Sequence, residues 1–60
     1  MDLESRIVEA IRDELERQST APERNLMVEF PTPPDAIINN GRVDLDKVAM
    51  VIAGTLAGGP

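Results

Sequence analysis

The 60-residue chain contains no cysteine, histidine, tyrosine or tryptophan, and Phe30 is its one aromatic residue. Without cysteine there is neither a disulfide nor a thiolate to hold zinc, and without histidine the other common zinc ligand is missing too. Nucleophilic triads of the Ser–His or Cys–His kind are excluded with them. Ser5 and Ser19 have no base near them in sequence. No enzyme activity, cofactor or metal is expected.

Positive charge is also scarce. Six basic residues stand against eleven acidic ones, a net charge of −5. Nucleic acid is held by basic stripes and aromatic stacking platforms, and the sequence offers neither. An acidic surface keeps a small protein soluble and suits a basic partner. Long apolar runs are missing as well: Val48–Ala57 is about half of the ~20 residues a bilayer span needs. The beginning, MDLESRIVEAIRDELERQ, is charged throughout, unlike a secretory leader. The expectation is a cytoplasmic protein, or a virion-associated one if phage-encoded. Arg outnumbers Lys five to one, with frequent Ala, Gly and Pro. That is the style of a GC-rich genome, such as an actinobacterium or one of its phages.

Two glycine-containing stretches fail as ligand loops. Aligning Gly41 of NNGRVDLD with the glycine of a calcium loop puts Ala36 and Ile38 where oxygen ligands belong. GTLAGGP lacks the lysine and following helix of a phosphate-binding loop.

What is present is apolar surface in helical and strand patterns. A chain this short buries only about 60% of its unfolded surface, and a lone core rarely supplies more than ~3–5 kcal/mol. With no staple available, oligomerisation or docking on a partner is the expected source of the remainder.

One small domain is expected over residues 1–60, mainly α and helical hairpin-like. The first helix, about 2–18, is capped by Asp2 with Glu4 in its first turn. Leu3, Ile7, Ala10, Ile11 and Leu15 recur at three- and four-residue spacing and form its apolar arc, with Val8 at one margin. Asp2–Arg6, Glu9–Arg12, Asp13–Arg17 and Glu14–Arg17 are at helical neighbour spacing, each contributing roughly 0.2–0.5 kcal/mol. The charged face, Glu14 and Glu16 included, reads as solvated.

Residues 19–43 form an extended, Pro-rich connector. Leu26, Val28 and Phe30 alternate with Met27 and Glu29, the pattern of a short half-buried strand over 25–30. They make a candidate docking arm along a neighbouring chain. Such a strand has no partner in its own chain except the region 37–43. Glu29 is the one carboxylate in an apolar context, which its outward strand position explains. Residues 33–41 read two ways. Thr32 and Asp35 around Pro33-Pro34 suit the start of a short helix, the favoured reading. Alternatively, Asn40-Gly41 makes a hairpin turn pairing Ile37-Ile38 with Arg42-Val43.

Asp44 caps the last helix, about 45–57, before a tail at 58–60. Leu45, Val48, Ile52 and Leu56 form its expected inner face, flanked by Ala49 and Ala53, while Met50 and Val51 fall outside it. Ala49, Ala53 and Ala57, beside Gly54 and Gly58, space small residues four apart and permit close helix approach.

The expected function is protein–protein association without catalysis. The leading expectation is a self-associating assembly accessory, burying Leu45, Val48, Ile52 and Leu56 with Leu3, Ile7, Ile11 and Leu15, and covering Met50 and Val51 with a second copy. The alternative is an acidic inhibitor or antitoxin-like regulator whose Glu9, Asp13 and Glu16 occupy a basic site on a partner.

Overall fold

In the computed structural model, which describes residues 2–58, both helices begin by the same device. The Asp2 carboxylate accepts the Ser5 N–H at 2.7 Å and opens α1, Leu3–Ser19. The Asp44 carboxylate accepts the Lys47 N–H at 3.2 Å and opens α2, Leu45–Leu56. Each aspartate satisfies a backbone donor that the first helical turn would leave unpaired. Thr20 closes α1, its N–H and its hydroxyl both donating to the Arg17 carbonyl. Gly58, in left-handed backbone, follows the Ala57 cap of α2. The expected contribution of Gly59 and Pro60 lies outside the described residues.

After α1, Pro22–Arg24 make one 3-10 turn, and Asn25 takes left-handed backbone at φ 51°. The expected strand then forms, shortened to β1, Met27–Glu29. Its alternation holds: Leu26 is buried and Val28 and Phe30 are half-buried, while Met27 and Glu29 face outward.

The favoured short helix at 33–41 does not form. Thr32–Asp35 is a tight turn, closed by the Asp35 N–H donating to the Thr32 carbonyl at 2.9 Å, with a cis Pro33–Pro34 bond. Residues Ile37–Asn40 then run as β2, antiparallel to β1, pairing Val28 with Ile38 and Glu29 with Ile37. The hairpin reading placed Ile37-Ile38 in a strand but gave them the wrong partner. They pair back across the proline turn, not forward onto Arg42-Val43. Two β-branched residues suit the ladder, and β1 otherwise has no strand to satisfy its backbone. Gly41 serves another purpose. At φ 95° it lies so close to the Asn25–Leu26 backbone that a Cβ would stand 2.4 Å from the Asn25 carbonyl oxygen. The Arg42 N–H donates to the Arg24 carbonyl at 3.2 Å, fixing this crossing.

The result is two helices and a two-stranded sheet, mainly helical by residue. Helix α1 is the central element, packing on α2 and on β1. The molecule is flat, 31 × 24 × 14 Å, with a radius of gyration of 11.7 Å. A compact 60-residue domain would have about 10.4 Å. Its accessible surface of 4411 Å² exceeds by roughly 600 Å² the ~3,800 Å² typical of a folded monomer of this mass.

Candidate interaction surface

The best-buried part of the molecule is polar. Glu14 is 2% exposed and Gln18 5% exposed, beside the apolar Leu15 and Leu26. Glu14 was expected on the solvated face and is instead the most deeply buried side chain of the four. Its carboxylate pairs with the Arg17 guanidinium through one oxygen and accepts from Gln18 Nε2 at 2.9 Å through the other. Of the four ion pairs expected along α1, Glu14–Arg17 is the one that forms among the described residues.

Gln18 then reaches across to the N-terminus of α2. Its Oε1 accepts the Asp44 N–H at 2.7 Å, and its Nε2 donates to the Asp44 carbonyl at 3.1 Å. One amide thus grips both main-chain groups of the residue that caps α2. The orientation of that amide is fixed, because two acceptors face the nitrogen and one donor faces the oxygen. The Asp44 side chain adds a contact to Arg24 Nη2 at 3.3 Å. Among the described residues, every buried side-chain nitrogen or oxygen has a partner. This junction is closed and offers nothing to a ligand.

The large apolar side chains show the reverse. On α2, Val48, Val51, Ile52 and Thr55 are half-buried, whereas Leu45 and Met50 are 73% and 71% exposed and Leu56 is exposed with them. The inner face of α2 is therefore rotated by roughly 50–60° from the expected one at 100° per residue. Val51 turns inward, while Leu45 and Leu56 join Met50 outside. The expected line of Leu45, Val48, Ile52 and Leu56 does not meet α1 as a unit. Between the outward leucines and Met50 lie Ala49 and Ala53, both exposed, and only Asp46 interrupts the stripe with charge. Gly54 also faces open space, with nothing within 4 Å of where its Cβ would be.

On α1, burial deepens from the N-terminus toward the junction: Leu3 is exposed, Ile7 and Ile11 are half-buried, and Leu15 is buried. Leu26, Val28 and Phe30, the candidate arm, turn inward in the monomer as part of its own core. The Arg12 guanidinium lies over the Phe30 ring, 4.8 Å from its centre, a favourable cation–π contact. Between α1 and the segment 30–36 runs a cleft of about 340 Å³, walled by Val8, Ile11, Leu15, Phe30, Pro33 and Pro34. Glu29 accepts from Asn39 Nδ2 at 2.9 Å on the exposed side of the sheet.

Gln18 and Glu14 escaped sequence reasoning, although a signal existed. They extend the row Leu3, Ile7, Ile11 at three- and four-residue steps, so polar side chains continue an apolar stripe. Compared with known proteins, the chain matches no family model, no curated protein and no solved structure. Among the described residues, no helix is long and apolar enough to cross a membrane.

Proposed function

We propose that this chain is a non-enzymatic assembly accessory that associates with copies of itself through the outer face of α2, in the cytoplasm or on a virion. The observation that carries the reading is the exposure of Leu45, Met50 and Leu56 around Ala49 and Ala53 on one helix side. A monomer gains nothing from that arrangement. The surface excess of the chain supports the same reading, since a standard interface covers about 800 Å² per partner. Gly54 agrees with it too. A mid-helix glycine costs about 1 kcal/mol relative to alanine, and no neighbour in the monomer requires its lack of a side chain.

Light scattering across micromolar concentrations tests this. The wild-type chain is expected as a dimer or larger, and Met50→Asp as a folded monomer. Burying one such side chain contributes roughly 1.5–3 kcal/mol, so the variant should weaken association more than tenfold. A wild-type chain that stays a well-folded monomer throughout overturns the proposal. Met50 is a better probe than Ile52, which faces inward and would report on folding.

One observation favours a second reading. Glu9, Asp13 and Glu16 are all exposed along one stripe of α1, and none makes an ion pair among the described residues. That stripe suits a basic site on a different protein. Salt separates the two readings: charge-driven binding weakens steeply with ionic strength, while apolar association persists.

A further inference from the structure

We propose that the outer edge of β2 pairs antiparallel with β2 of a second copy, joining two two-stranded sheets into one four-stranded sheet. The inference rests on the reading that the chain associates with itself, and adds a contact distinct from the face of α2. All four residues of Ile37–Asn40 are exposed, and the strand packs on β1 but on neither helix. Its other edge has no strand beside it among the described residues. Proteins guard such edges with charge, proline, an outward bulge or a covering helix. Here the strand carries no charge and no proline, and the irregularity of the ladder lies between Met27 and Val28 on the inner strand.

Charge selects the occupant. Two copies of a chain with net charge −5 repel on average, but Ala36–Gly41 is an uncharged window in which identical edges can meet. Asp35 precedes that window and Arg42 follows it. Antiparallel pairing brings Asp35 of each copy to the end where the second copy's Arg42 stands. Parallel pairing would set like charges side by side. In a two-fold antiparallel pair the alternation of bonded and non-bonded positions requires one residue to face its own counterpart. That residue is at the strand centre, Ile38 or Asn39. Four residues bury too little area to hold a dimer alone. The edge therefore acts beside the α2 face, and two different two-fold contacts on one chain carry assembly beyond the dimer.

The absence of cysteine makes the test direct. Ile38→Cys and Asn39→Cys are oxidised without denaturant beside Asp35→Cys and Arg42→Cys, and beside Ala49→Cys, Met50→Cys and Ala53→Cys on α2. Facing positions of an antiparallel pair stand ~4.5–5.5 Å apart at Cα, within disulfide reach. The expected result is a covalent dimer several-fold stronger at 38 or 39 than at 35 or 42 alone. Mixing the Asp35→Cys and Arg42→Cys chains should give a crossed dimer. Cross-linking at 38 and 39 no stronger than at 35 and 42 overturns the proposal. Dimers from the α2 positions with none from β2 would leave association through α2 standing and reject the edge. Dimers from β2 with none from α2 would do the opposite.

Discussion

The junction between α1 and α2 and the outer face of α2 are adjacent, yet they invert the usual distribution of side chains. At the junction, Glu14 and Gln18 are buried and fully hydrogen-bonded. On the outer face, Leu45 and Met50 stand in water. The contrast separates two jobs. Buried polar groups with fixed geometry set which arrangement of the helices is allowed, since a half-satisfied network is heavily penalised. Apolar area supplies most of the free energy of burial, and this chain leaves much of it uncovered. The monomer is specified by its polar junction, and its further stability waits on what covers α2.

The comparison can be broken most severely at Gln18. Replacing it with alanine strands one Glu14 carboxylate oxygen and both main-chain groups of Asp44, at about 1–3 kcal/mol for each buried group left unpaired. Against the ~3–5 kcal/mol available to a chain this short, Gln18→Ala should unfold most of the population at room temperature. Circular dichroism at 222 nm, a standard helical band, reads this.

A smaller effect sharpens the other side of the contrast. Gly54→Ala should stabilise the helix of an isolated monomer by about 1 kcal/mol, because its Cβ would meet nothing. If copies approach closely at this face, the same methyl group stands between them and weakens association. Thermal melting at low and high protein concentration should therefore move in opposite directions.

The smallest effect concerns the far end of α1. The Ser5 backbone N–H, and then its side chain, hold the Asp2 carboxyl below its ordinary value. A carboxyl depressed on folding stabilises the folded state above its unfolded pKa, and that contribution is lost as pH falls through the folded one. Asp2→Asn keeps a capping oxygen without the charge, so its helix signal should decline less on acidification. An identical acid profile for the two proteins would exclude a role for the charge.

Both helices were legible because their signals are local: Asp2 and Asp44 each precede a periodic apolar run, and the caps formed as read. The Leu26, Val28, Phe30 alternation was legible for the same reason. Residues 33–41 misled because Thr32, Pro33, Pro34 and Asp35 resemble a helix start, while the decisive pairing of β2 with β1 spans a long loop. The rotation of α2 was hidden because apolar residues surround that helix almost completely, so periodicity cannot choose between Leu45 and Val51. Gln18 was hidden by the habit of assigning polar side chains to water.

Gln18 recognises residue 44 through its main chain and ignores its side chain. Position 44 is thereby freed from the latch and constrained mainly as a helix cap, a role that Ser, Thr or Asn also fills. Mutational drift at 44 among those residues would surrender the Arg24 contact and leave the hinge of the molecule closed. Position 18 has no such latitude, since glutamine alone presents that donor and acceptor at that reach. Related chains, where they arise, should vary at the aspartate and hold the glutamine.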